Sequence, residues 1–196
     1  MRQSELTRKT AETSIFMRMD LDGEGSFEGQ TGIGFFDHMM VLFSRYSGFN
    51  LMIDAVGDIE VDTHHLVEDL GIVMGNLFKE SIGDCRGIER YGSFRCPMDE
   101  ALTEVDLDIS GRGYLVYNVE HRRDKIGDFE TEMLKEFMYA FAINAGITLH
   151  INNLYGSNEH HIIESIFKAF GKALGRASEI TDKSGRIPST KGKIGA

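Results

Sequence analysis

Apolar residues recur at helical spacing in several stretches. In GFFDHMMVLFSRYSG, residues 34–48, Phe36, Met40 and Phe43 share one face. In DTHHLVEDLGIVMGNLFKESIG, residues 62–83, Leu66, Leu70, Val73 and Leu77 form one apolar stripe, and Asp62 or Thr63 can cap the start. TEMLKEFMYAFAINAG reads as a third helix. NEHHIIESIFKAFGKALGRA reads as a fourth, with Ile163, Phe167, Phe170 and Leu174 on one face. TSIFMRMDLDG and GSFEGQTG read as strands around a Gly-rich turn, and FNLMIDAVGD as a further strand. EALTEVDLDISG and RGYLVYNVEH alternate like the arms of a hairpin around Gly111 and Gly113, and ITLHINNL is another strand. ERYGSFRCPMDE joins the two series and is expected to be strand in part. TDKSGRIPSTKGKIGA reads as a basic, Gly-rich loop.

Each half therefore reads strand–strand–helix–strand–helix, and the register makes this an internal repeat. Gly48 and Gly146 each close the first helix of their half. Beyond a short gap the second offset matches His64 with His160, His65 with His161, Glu68 with Glu164, and Gly75 with Gly171. The expected organisation is a first half over 1–86, a second over 87–180 and a loop over 181–196, in one compact unit.

The repeated block is His-His-x-x-Glu. Residues four apart share a helix face, so His64 and Glu68 can hold one ion together. His65 is turned about 100° away and more naturally serves a second ion. The same holds for His160, Glu164 and His161. The repeat also aligns His38, in FFDHMM, with Glu136, in MLKEFMY. The candidate ligands are then His38, His64, His65 and Glu68 from one half, and Glu136, His160, His161 and Glu164 from the other. Mixed imidazole and carboxylate ligation suits Mn, Fe or Zn. His150 aligns with Met52, so the repeat does not nominate it; a strand histidine with a structural hydrogen bond is expected. His121 has no partner of interest and is expected to be exposed.

Composition narrows the function classes. A formal net charge of −10 without a basic run argues against nucleic acid or an anionic membrane surface. No apolar run approaches the roughly 20 residues of a membrane span. The polar start MRQSELTRKT lacks a signal-peptide core, so a cytoplasmic location is expected. Cys85 and Cys96 read as buried thiols rather than a disulfide framework.

Together these residues resemble the imidazoleglycerol-phosphate dehydratase family over nearly the whole chain. The landmarks are RKTAETSI, GFFDHMM, GDIEVDTHHLVEDLGIVMG, RYGSFRCPMDEAL, DISGRGYLVY, GDFETEMLKEF, HHIIESIFKAFGKAL and IPSTKG. The resemblance implies an α+β fold of two similar halves, each a four-stranded sheet backed by helices. It implies a homo-oligomer of 24 subunits with two Mn²⁺ per active site, formed between neighbouring subunits. The implied reaction is loss of water from imidazoleglycerol phosphate, the ring being held as imidazolate between the two metal ions.

The resemblance also nominates Glu12, in TAETSI, to move protons, with Glu68 contributing as a carboxylate at the metal. It assigns Arg90, Arg112, Ser189, Thr190 and Lys191 to the phosphate, with Asp99 expected to orient one of them. The chain departs from the family's pattern at Tyr46, where a histidine is usual; tyrosine donates a hydrogen bond but is neither base nor ligand near neutral pH. Two other classes use the same ligands: a dinuclear metallohydrolase acting on a phosphorylated metabolite, and a non-enzymatic protein stapled by metal. Ketone product against released inorganic phosphate separates the first from the dehydratase. Coordinatively closed sites mark the second.

Overall fold

In the computed structural model, which describes residues 2–195, the chain runs through β1 (Gln3–Lys9), β2 (Thr13–Asp20), β3 (Phe27–Gln30), α1 (Gly34–Ser47), β4 (Asn50–Gly57) and α2 (His64–Ile82). The second half repeats the order with β5 (Tyr91–Met98), β6 (Ala101–Asp108), β7 (Tyr114–Asn118), α3 (Met133–Ala145), β10 (Thr148–Tyr155) and α4 (Glu159–Ser178). A small hairpin, β8 (Lys125–Ile126) with β9 (Phe129–Glu130), lies between β7 and α3.

Each half builds a four-stranded sheet, ordered β1-β2-β4-β3 and β5-β6-β10-β7. Burial alternates along β2 and β6, as expected for strands with one face on a core. The α+β class with two similar halves is as expected; two local pairings are not. β6 and β7 form no hairpin, because β10 lies between them, antiparallel to β6 and parallel to β7. β4 separates β2 from β3 in the same way. The Gly-rich connections carry the chain across a neighbouring strand rather than turning it back. The polar segment Gln3–Lys9 is also a strand: as an edge strand it needs no apolar face, so its residues are exposed or half-buried.

The helices lie between the sheets. α2 packs on β1 and β2, and α4 on β5 and β6, but the tightest helix pairs cross between halves: α2 with α3, and α1 with α4. Glycines permit both crossings. A Cβ on Gly75 would stand 2.7 Å from the Phe141 carbonyl oxygen, and one on its repeat partner Gly171 would stand 2.9 Å from that of Phe43. Phenylalanine rings fill the centre; Phe36 meets Phe137 at 5.1 Å and Phe141 meets Phe170 at 5.1 Å, both edge to face. Cys85 and Cys96 are buried free thiols, as expected.

Candidate metal centre

The crossed helices decide which candidate ligands meet. His38, on α1, faces the first turns of α4 from the other half. Ligand atoms of His38, His160 and Glu164 lie within 4.8 Å of one another, the one such group of three among the described residues. The Glu164 Oε2 stands 3.1 Å from His160 Nε2 and 3.7 Å from His38 Nε2. Its other oxygen is 2.6 Å from the Lys168 ammonium. Burial works against the charge on Glu164, but Lys168, with His160 and His38 behind it, holds its carboxyl below the usual range. One carboxylate oxygen is thus aimed at the two imidazoles while the other is held from behind.

Lys168 was not singled out in the sequence, although its i+4 spacing from Glu164 was readable there. Its ammonium also lies 5.7 Å from the centre of the Tyr46 ring, with that of Lys172 at 5.8 Å. The departure at Tyr46 therefore sits one contact from the group of His38, His160 and Glu164.

In the other half His64 Nε2 stands 3.5 Å from Glu68 Oε2. Glu136 is half-buried on α3, the helix that packs on α2, but it joins no three-residue group. The neighbouring histidines point elsewhere, as helix geometry requires: the His64 and His65 rings are 6.2 Å apart at 70°, and those of His160 and His161 6.2 Å apart at 80°.

Each of these turned-away histidines has a carboxylate on Nδ1. His65 Nδ1–H donates to Asp58 at 3.0 Å, and His161 Nδ1–H to Glu100 at 2.7 Å. Both imidazoles are made more basic by that bond, and Nε2 keeps its lone pair for a ligand. Asp99, expected to orient one of the phosphate-binding groups, lies 3.8 Å from His161 Nε2 in this chain. Glu12 is exposed, with its carboxylate 3.9 Å from His65 Nδ1.

The phosphate candidates gather at a separate place. Arg90 makes a two-pronged pair with Asp108 at 2.8 and 3.1 Å and donates to the Pro188 carbonyl at 2.8 Å, which ties the C-terminal loop down. Gly111 packs against Gly195 of that loop, and Arg112 beside it is exposed. In the same loop Ser189 Oγ accepts from the Lys191 amide at 3.2 Å, and Thr190 and Lys191 are exposed. Among the described residues no hydrogen bond or ion pair joins this group to either histidine group.

Two expectations for lone histidines fail. His150 makes no side-chain hydrogen bond among the described residues; it lines an open cavity of about 420 Å³ on the outer face of the second sheet with Asp106, Asp108 and Arg176. His121 is not exposed: it bonds Glu159 and Tyr117, and its side chain keeps only 18% of its exposure. Tyr117 is only four residues away, but Glu159, which buries the ring's other nitrogen, lies 38 residues on and left no local signal.

A family model described as imidazoleglycerol-phosphate dehydratase matches residues 31–174. The chain belongs to the imidazoleglycerol-phosphate dehydratase family. The enzyme of that name from Oceanobacillus iheyensis is 54% identical over 194 residues, 99% of this chain and 100% of the relative. Another, from Caldanaerobacter subterraneus subsp. tengcongensis, is 54% identical over 98% of this chain and 99% of its own length. The crystal structure of the Staphylococcus aureus enzyme superposes with a TM-score of 0.82 at 43% identity, covering 89% of this chain and 97% of that one. The Pyrococcus furiosus enzyme, in complex with (S)-C348, gives 0.83 at 35% identity, over 96% and 100%. Membership makes the chain a carbon–oxygen hydro-lyase of a metal-dependent family, and the His38, His160 and Glu164 group could hold an ion. Among the described residues no helix is long and apolar enough to cross a membrane.

Proposed function

We propose that the chain dehydrates D-erythro-imidazoleglycerol phosphate to imidazoleacetol phosphate in L-histidine biosynthesis, as a cytoplasmic 24-subunit assembly. The observation that carries this is the group His38, His160 and Glu164, built across two repeat halves in a chain that matches named dehydratases end to end. These three, with Glu136, His64, His65, Glu68 and His161, are the residues that would hold two divalent ions. The donor set of imidazoles and carboxylates suits Mn²⁺, and also Fe or Zn. When bound, the ions supply Lewis-acid stabilisation of the substrate's ring as imidazolate, the electron sink for a proton that is not next to a carbonyl.

The chain's own residues do the rest. Glu164 keeps its charge through Lys168 and presents one oxygen to the centre. Asp58 and Glu100 fix the tautomers of His65 and His161 so that Nε2 faces the ligand. Glu12, the exposed carboxylate beside His65, moves the protons, and Glu68 contributes as a carboxylate at the centre. Arg90, Arg112 and the Ser189–Thr190–Lys191 loop take the phosphate. Among the described residues of this single chain the phosphate-binding candidates and the histidine groups are not joined, which supports completion of the site by a neighbouring subunit.

The test is direct. Chelator-stripped protein is given Mn²⁺ and imidazoleglycerol phosphate, and ketone product and inorganic phosphate are both measured. Metal-dependent ketone without phosphate release is expected. Phosphate release without ketone would replace this reading by a metallohydrolase, and neither product would end it. Glu12→Gln is expected to abolish turnover with metal content intact.

A further inference from the structure

The two halves differ most between their third strand and first helix. In the first half only residues 31–33 separate β3 from α1; in the second, residues 119–132 separate β7 from α3. This added segment touches the start of both helices that carry the His-His blocks. At α2 the Glu130 carboxylate accepts from the Thr63 hydroxyl and, at 3.2 Å, from the Thr63 amide. At α4 the buried Glu159 carboxylate accepts from His121 Nδ1–H at 2.6 Å and from the Arg122 amide at 2.8 Å. Thr63 and Glu159 occupy equivalent places, each immediately before its His-His pair.

The segment is itself braced. Tyr117 Oη–H donates to His121 Nε2 at 2.8 Å, so every polar atom of that chain is matched. Lys125 pairs with Glu130 at 2.7 Å across the β8–β9 hairpin. The Thr131 amide and hydroxyl both bond back to the Asp124 carbonyl, at 2.9 and 3.3 Å. Phe129 is fully buried, 5.6 Å from Phe35, whose ring meets the His160 imidazole edge-on at 5.1 Å. A short braced loop with an anchor at each end is a contiguous, packed and hydrogen-bonded connection between the two helix starts, the kind of network that can carry coupling.

We propose that residues 119–132 act as a strap that sets the position of both His-His blocks together, with Glu130 and Glu159 as its positioning residues. This rests on the reading that those blocks hold metal. The strap makes the two ligand groups one mechanical unit: loosening the α2 anchor loosens the α4 ligands, although Glu130 touches none of them.

Hydrogen exchange on metal-free protein tests the mechanical part without relying on metal. Wild type, Glu130→Gln and the milder Thr63→Val are compared on peptides spanning 63–70 and 159–166. Both variants are expected to speed exchange in both peptides by about tenfold or more relative to peptides from β2 and β6, which report any change in global stability. Faster exchange confined to 63–70, or no change in either peptide, overturns the strap. Should Glu130→Gln fail to fold, Thr63→Val decides alone. In parallel, Mn²⁺ titrations of wild type, Glu159→Ala and Glu130→Gln are expected to show affinity at least about tenfold weaker in each variant, as for other residues that orient ligands from behind. Wild-type affinity in both variants overturns the positioning role. A wild type that takes up no Mn²⁺ refutes the metal reading instead, and the exchange arm still decides the strap.

Discussion

An alanine at Gly92 measures how tightly α4 is seated. Gly92 lies in β5 where that strand crosses α4, and a Cβ there would stand 1.9 Å from the Ala173 carbonyl oxygen and 2.7 Å from its carbon. Real Cβ contacts essentially stop at 3.0 Å, so strand and helix would have to part by about 1 Å. Both opposing atoms are backbone and cannot swing aside. Overpacking of this kind costs about 1–3 kcal/mol, and so deep an overlap belongs at the upper end. Alanine recovers about 0.5–1 kcal/mol by lowering the entropy of the unfolded chain. The net loss is then about 2 kcal/mol. At about 2–4 °C per kcal/mol for a domain of this size, Tm falls by about 4–8 °C. Gly34→Ala is the matched control, because nothing lies within 4 Å of its Cβ position, and its Tm should hold or rise slightly. Calorimetry on metal-free protein keeps ligand binding out of the comparison. A Gly92→Ala protein that melts with the wild type would refute the close crossing. Because α4 carries His160 and Glu164, the same variant should also bind Mn²⁺ more weakly.

Further outcomes follow from single contacts. Glu164→Gln removes the charge shared by His38, His160 and Lys168, and Mn²⁺ binding measured by titration should fall by about 100-fold or more. Glu100→Gln frees the His161 ring and should cost about 10–100-fold in Mn²⁺ affinity with little change in fold by circular dichroism. Burial pushes the Glu130 carboxyl up, but Lys125 and Thr63 outweigh it and hold it at about 2 against an ordinary 4.5. Its stabilisation is therefore complete above about pH 4.5 and is lost as the pH falls towards 2. Discounted for water around the exposed Lys125, the Glu130→Gln penalty in urea unfolding should be about 1–2 kcal/mol at pH 7 and fade below pH 4. Arg90→Ala should raise KM strongly in the dehydratase assay and loosen the C-terminal loop, read as faster proteolysis after Pro188.

The helices were legible in the sequence to within two residues at each end, because Leu66–Leu77 and Ile163–Leu174 wrote unbroken stripes on faces that the structure buries. Sheet order was not. β4 and β10 insert between strands that are neighbours in sequence, and the pairing that puts them there is non-local. The strand Gln3–Lys9 was missed because an edge position asks for no apolar alternation. At the centre, the repeat exposed His38 and Glu136, which no local motif marks. It grouped ligands by half, whereas the fold groups His38 with His160 and Glu164 from the other half. His121, read as exposed, is covered by Tyr117, four residues back, and by Glu159; only the three-dimensional route of 119–132 brings it to Glu159.

The exchange of helix partners between halves also bears on how the chain matures. A fragment ending near residue 86 would own a complete sheet, yet its α1 would lack α4 and its α2 would lack α3. Two copies of such a fragment could satisfy each other by trading helices, which makes a helix-exchanged dimer the natural forerunner of a duplicated chain. In the present chain His38 must wait for residues 160–164 to be synthesised and docked before the three-residue group exists. On the proposed reading, metal capture at this group requires both halves to have closed on each other, so separately expressed halves should gain this site only after they are mixed.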